Sequence, residues 1–390
     1  MKYIYMMIFM PILLMAENID LLYDKVESSN IYKSKLEALN TSLQNKKANL
    51  YEDGWSLGAM GGYADVKDSS DGGSEYELSL GKGINLYSSD IDKLINESQN
   101  YYNLKAKTVA SRLKVRLWQL YGNYCTTMDA LQAKAELAYV YGEILKHIQK
   151  GVDYGEFDSS KAIMAKLSLE NLNLQISKLE NAVQNYESQI KVIVPFDGQF
   201  ECRHIHPNLY KLFDPEYSAL WPMLEKQVES SHTEVELSQK SLSSVNVNAT
   251  YSNEIDTERY MVNLELPLNF GAKSEAKRAA AMSSAAAASY ELESFRNSYR
   301  YESSALKSRL DIYTKYLSST ENSIKESANL LIKQSNMRFK AGEESFISML
   351  KATETKLQMI ETILELKIDR RNAVAKYMYK YAIDPNGVSK

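Results

Sequence analysis

Two periodicities alternate along the chain. From Glu17 to about Tyr51 it is polar, helical in pattern and free of Gly and Pro. Between Asp53 and Tyr87 a period of two takes over. Trp55, Leu57, Ala59 and Tyr63 fall on one side; so do Tyr76, Leu78, Leu80, Ile84 and Leu86, against Glu75, Glu77, Ser79, Gly81 and Asn85. This predicts a hairpin of two half-apolar strands. Ser88–Lys150 then runs without proline, predicting a helix of roughly 95 Å at ~1.5 Å per residue. Its apolar positions Leu113, Leu117, Leu120, Tyr124, Met128, Leu131, Ala135, Ala138, Gly142 and Leu145 recur every three or four residues. A mean step near ~3.5 describes a supercoiling seam, and the extra four at Met128 a local unwinding.

The segment Gly151–Asp158 carries two glycines and predicts a tight turn, from which a second helix, Ser159–Val192, returns antiparallel. Pro195–Pro222 holds four of the seven prolines and reads as irregular; Ser218 to about Ser243 is helical again. Strand pattern then reappears. Val245, Val247, Ala249 and Tyr251 oppose Asn246, Asn248, Thr250 and Ser252; Tyr260, Val262, Leu264, Leu266, Leu268 and Phe270 oppose Asn263, Glu265 and Asn269.

The chain therefore repeats. Gly83-Ile84-Asn85-Leu86-Tyr87 closes one strand zone before a long helix, as Pro267-Leu268-Asn269-Phe270-Gly271 closes the other. Gly155-Glu156 recurs as Gly342-Glu343 at nearly the same offset, with Ala165 matching Ala352. Such an offset marks duplication of a hairpin, long helix, turn and helix unit. The divisions are repeat 1 over 17–192 (hairpin 53–87, helix 88–150, turn 151–157), an equatorial linker over 193–222, repeat 2 over 218–380 (hairpin 244–270, helix 272–341, turn 342–346) and a tail over 381–390. In repeat 2, the alanines from Ala276 to Ala288 suit either close helix approach or plain helix propensity.

Strands apolar on one face and polar on the other fit a barrel with lipid outside and water inside. Four strands leave open edges that lipid does not tolerate. Closure needs other chains, and three protomers supplying twelve strands would enclose a pore. Trp55, Tyr87, Tyr260 and Phe270 near strand ends suit interfacial girdles. Lys82 interrupts the apolar face and is expected near an interface, where it can snorkel. The competing reading is a small soluble sheet beside the helices, whose apolar face would need another cover.

Composition narrows the field. Met1-Lys2, the apolar run Tyr3–Met15 and Ala16-Glu17 make a secretory signal over residues 1–16. The formal charge of −4, without a basic stripe, points away from nucleic acid. No catalytic set, metal site or cofactor is expected: Cys202-Arg203-His204-Ile205-His206 gathers ligand types without zinc spacing. Cys125 and Cys202 are the two cysteines; whether they pair is open at this level.

Arg338-Phe339-Lys340-Ala341-Gly342-Glu343-Glu344-Ser345-Phe346, continuing through Leu350-Lys351-Ala352, resembles the periplasmic turn of the TolC-like outer-membrane efflux family. Arg371-Asn372-Ala373-Val374-Ala375 resembles that family's final helix. The resemblance covers essentially the whole chain after the signal. It implies a mostly helical homotrimer with a small antiparallel β portion: four strands per protomer in a twelve-stranded barrel in outer-membrane lipid, and a helical barrel in the periplasm. It implies a passive export duct docked to a periplasmic adaptor and an inner-membrane pump of RND or ABC type. The adaptor-docking turns would be Gly151, Gly155 and Phe157, with Arg338, Phe339, Gly342, Glu343 and Ser345. Where relatives place acidic constriction residues, this chain has Ser348 and Lys351, with Lys161 near the first turn. A lysine ring there would make the entrance tolerant of anions; an ordinary salt bridge of Lys351 is the plainer reading. Against the duct stands a periplasmic coiled-coil structural or interaction protein, which would share the helical pattern.

Overall fold

The computed structural model describes residues 18–51, 54–64, 73–196, 198, 200–203, 206–240, 242, 244–254, 257–267, 271–341 and 346–389. The signal segment 1–16 lies outside them. Two compact units result, each drawn from several stretches of sequence: Ser34–Thr108 with Leu220–Asn297, and residues up to Lys33 with Val109–Ala219 and Ser298–Lys390.

The first of these units holds the sheet. Strands β1 (Trp55–Ala64), β2 (Gly73–Asn85), β3 (Ser244–Glu254) and β4 (Thr257–Glu265) lie in the order β1-β2-β3-β4. All neighbours are antiparallel, so the hairpins of the two repeats join through β2 and β3. The register puts Leu57, Leu80, Ala249 and Val262 in one row, and Trp55, Lys82, Val247 and Leu264 in the next row on that face. The four apolar strand faces expected from period two thus merge into one surface. Lys82 sits opposite Trp55 with its Nζ 5.0 Å from the indole centroid, a contact that shelters the charge on an apolar face.

That apolar face is the open one. On the central strands Leu78 is 49% exposed and Leu80 47%, whereas Thr250 and Ser252 on the polar face are 6% and 7% exposed; the edge strands β1 and β4 are largely exposed on both faces. A sheet packed for water would do the reverse. The strands pass into the long helices at matching places. Gly271 takes a left-handed φ of 87° and its carbonyl accepts from Glu275 N, while Tyr87 O accepts from Ile91 N. Around them lie α2 (Asn30–Leu50), the start of α3 (Ser88–Asp153), α6 (Leu220–Ser238) and the start of α7 (Ala272–Ser323). In α7, Ala281, Ala285 and Ala288 are buried and their alanine neighbours exposed. Both readings of that stretch hold, each on its own face.

The second unit is helical. It contains α1 (Ile19–Val26), the remainder of α3, α4 (Ser159–Ile193), the short α5 (Leu209–Leu212), the rest of α7, α8 (Asn329–Lys340), α9 (Phe346–Tyr381) and α10 (Pro385–Ser389). The second long helix is not uniform, because a π-helical turn, Ile324–Ala328, joins α7 to α8. Such a turn accommodates one extra residue and resets which face follows it. In α3 the fully buried row toward the first turn is Leu137, Tyr141, Ile144 and Ile148. It lies one position from the expected seam, of which Ala138 and Leu145 pack only partly against that core.

Polar residues fasten the helices. Lys134, buried in α3, donates to Gln175 Oε1 of α4 (2.8 Å) and Glu361 Oε1 of α9 (2.9 Å). Cys125 of α3 and Cys202 are disulfide-bonded, with Cα atoms 5.4 Å apart. The tail expected over 381–390 is built in: Tyr381, Ala382, Ile383 and Val388 are buried, and Ile383 bridges Ser218.

Candidate functional site

The residues expected to dock a partner gather at the ends of α3, α4 and α8. α3 runs to Asp153, and the carbonyl of Gly151 accepts from Glu156 N (2.7 Å) and Phe157 N (3.2 Å). Gly155 follows with a φ of 74°, a conformation glycine adopts without steric cost. Asp158 Oδ1 accepts from Ser160 N at 2.8 Å and caps α4. The fold needs Gly151 for space as well: a Cβ there would lie 2.2 Å from Phe157 Cδ2.

Phe157 does not project freely. Its ring stacks on Phe339 of α8, centroids 5.9 Å apart and 19° from parallel, and His147 meets both rings edge-on. Phe339 is buried in a core with Ile148, Ala165 and Met349. The structure therefore joins the first turn to the end of α8 through the two aromatic side chains chosen from sequence. Arg338 is exposed beside it. Gly342, Glu343 and Ser345 lie outside the described residues. Of the constriction candidates, Lys161 holds its Nζ 5.0 Å from the Phe157 centroid, while Ser348 and Lys351 are exposed on α9. Lys351 makes no ion pair among the described residues.

Two expectations follow from this geometry. Replacing Gly151 by Leu displaces Phe157 and should destabilise the turn by about 1–3 kcal/mol. Gly142→Ala, where a Cβ meets nothing within 4 Å, should gain up to about 1 kcal/mol. Thermal melts of the two variants check the contrast. The second concerns pH. The Ser160 backbone N–H, with help from Ser160 and Lys161, holds the Asp158 carboxyl below its ordinary 3.8 despite some desolvation. A lowered folded pKa means the cap stabilises fully above the unfolded value and fades as pH falls through the folded one. Below pH ~3.8, the first turn of α4 should fray in hydrogen exchange, and Asp158→Asn should flatten that dependence.

A polar network invisible to the sequence reading sits between α3 and α9. Arg371, 8% exposed, donates from Nη1 to Thr126 Oγ1 (2.8 Å) and Asn123 Oδ1 (3.4 Å). Asn372 Oδ1 accepts from Gln119 Nε2 at 2.7 Å. Gly122 makes room, since a Cβ there would lie 2.2 Å from Arg371 Nε. No periodicity announces these residues; the only signal was the likeness of 371–375 to a family helix. Cys202 is taken by the disulfide and His204 lies outside the described residues. Among the described residues no three His, Cys, Asp or Glu side chains converge as a metal would need. No helix among them is long and apolar enough to cross a membrane.

A mostly helical chain with one four-stranded antiparallel sheet, apolar face outward, defines the TolC-like channel fold. Solved structures share it. The chain superposes on CusC with a TM-score of 0.73 at 12% identity, covering 94% of this chain and 92% of that one. For VceC, an outer membrane protein of Vibrio cholerae, the TM-score is 0.73 at 11% identity, covering 94% and 96%. For the CmeC outer membrane channel of Campylobacter jejuni it is 0.72 at 13%, covering 94% and 86%. No protein-family profile and no curated protein matches the sequence. The likeness is one of fold.

Proposed function

We propose that this protein is an outer-membrane channel of a tripartite export system, a passive duct and not an enzyme. One observation carries the reading: the sheet exposes a continuous apolar face, while the polar face of its two central strands is covered. Such a face finds its solvent in lipid. β1 and β4 are edge strands, and an edge in lipid must be paired. Three copies, edge to edge, give twelve strands around a water-filled lumen, with the helices in the periplasm. Solved structures of the same fold are described as outer-membrane channels.

The turns around Phe157 and Phe339 are the docking surface for a periplasmic adaptor coupled to an inner-membrane pump. Exposed apolar side chains nearby, Ile163 and Leu167 on α4 and Leu330 and Met337 on α8, support a helical partner or a sister protomer there. A bulky replacement of Gly342 should abolish export and leave trimers intact. Lys161, Ser348 and Lys351 line the proposed entrance, where a lysine ring would tolerate anions and a salt bridge of Lys351 would not.

The test is assembly and conduction. The secreted protein should run as a heat-dissociable trimer from outer-membrane fractions and open water-filled channels in planar bilayers. A soluble monomer in plain buffer would support the coiled-coil stalk instead. Marked cation selectivity of single channels would remove the lysine ring and leave the duct standing.

A further inference from the structure

We propose that a cavity in the helical unit binds a small organic acid, an amphiphilic anion whose carboxylate meets Arg370 and Arg371. The cavity measures about 300 Å³ and lies between α3, α7, α9 and the segment at Pro207. This size is at the lower end for small-molecule sites. Its walls divide by chemistry. Trp118, Leu310, Leu317 and Val374 are buried and apolar. The charged groups are Lys367, Arg370, Arg371 and a single carboxylate, Glu321, with His206 at the edge.

Glu321 is already engaged, 2.7 Å from Lys367 Nζ. Neither guanidinium has an ion pair among the described residues, and the carboxylates that act on them, Glu321 on Arg370 and Asp129 on Arg371, do so from beyond ion-pair distance. Arg371 is held by neutral acceptors on one side, Thr126 and Asn123, and only its Nη1 takes part. Burial first, and then Arg370, push its pKa down to about 10 against the opposing pull of Asp129, so Arg371 remains cationic at neutral pH. Two adjacent guanidinium groups repel, and a fold that keeps them together on an enclosed wall has stored an attraction for an anion. A planar carboxylate matches the guanidinium fork. The Trp118 ring, with Arg371 Cζ 5.9 Å from its centroid, continues the same wall and offers an apolar body a flat partner. An inorganic ion would satisfy the arginines and make no use of the apolar wall that Trp118, Leu310, Leu317 and Val374 give the cavity. The site is independent of membrane insertion, so it stands or falls apart from the channel reading.

The experiment is calorimetric titration of the full-length protein in detergent with benzoate, benzamide and acetate. Benzoate should bind with a Kd below about 1 mM, and benzamide and acetate at least about tenfold more weakly. Arg370→Gln should weaken benzoate by about tenfold or more, and Leu317→Trp, which fills the apolar wall, should block it. Arg371 is left intact because it also ties α9 to α3; circular dichroism confirms that both variants fold. The proposal is overturned if benzoate is not taken up, as it would be were a sister chain's side chain to seal the cavity. It is equally overturned if benzamide or acetate match benzoate, or if both variants bind it as the parent does.

Discussion

An arginine in place of Val262 should abolish outer-membrane assembly, whereas one in place of the adjacent Asn263 should not. Val262 belongs to the row Leu57, Leu80, Ala249 and Val262, and Asn263 to the opposite face with Asn248, Gly81 and Ser56. In the proposed barrel the first row meets lipid, two residues along the strands from the row of Trp55 and Lys82. An arginine there costs about 2–4 kcal/mol, and the proposed trimer carries it three times. The opposite face meets water, where a guanidinium is solvated. β4 is also an edge, so a solvation defect in it bears directly on pairing with the next protomer. The measurement is the heat-dissociable trimer in outer-membrane fractions for the two variants. Equal yields would show that the two faces share one solvent and would remove the barrel from the reading.

The same faces explain what was legible in the sequence. Period two is a strict code: a residue either shares a face with its second neighbour or it does not, and the strand faces were readable in advance, except that β4 stops at Glu265 short of Leu266, while Leu268, Asn269 and Phe270 lie outside the described residues. Their fusion into one surface through β2 and β3 was not, since pairing across the two repeats is a long-range choice. The helical seam was harder. Ala138, Gly142 and Leu145 look like a seam, yet Leu137, Tyr141, Ile144 and Ile148 fill the core. Where the helix is apolar on all sides, as over residues 137–142, larger side chains bury more area, and small neighbours fall to the flank. The first turn announced itself by its glycines, but not its stack with Phe339, which requires knowing how the repeats meet. The Arg371 network was hidden because buried polar pairs obey no period; beyond the likeness of 371–375 to a family helix, Gly122 was a trace that could not be read, since a glycine in a helix has many explanations.

Removing the disulfide is the second large change. Cys125 is wholly buried in α3, and its partner is 77 residues away in sequence. Closing so long a loop restricts the unfolded chain, worth about 4 kcal/mol in the chain-entropy account. Local contacts add to it. Tyr121 donates its hydroxyl to the Glu201 carbonyl, and Arg203 N donates to that hydroxyl at 3.1 Å. Phe200 packs against Phe196, Tyr121 and Tyr124. These contacts reach only as far as the bond holds the segment against α3. Cys125→Ala with Cys202→Ser should therefore lose both the entropic term and the order of residues 200–203. Limited proteolysis should cut first at Arg203, and thermal unfolding should begin several degrees lower. The parent protein under strong reductant should behave likewise, and Tyr121→Phe should lose only part of the protection. A disulfide of this reach belongs to an oxidising compartment, where the proposed export duct would have its helices. Should the double variant resist heat and protease as the parent does, the aromatic contacts alone fix the segment and the bond is dispensable.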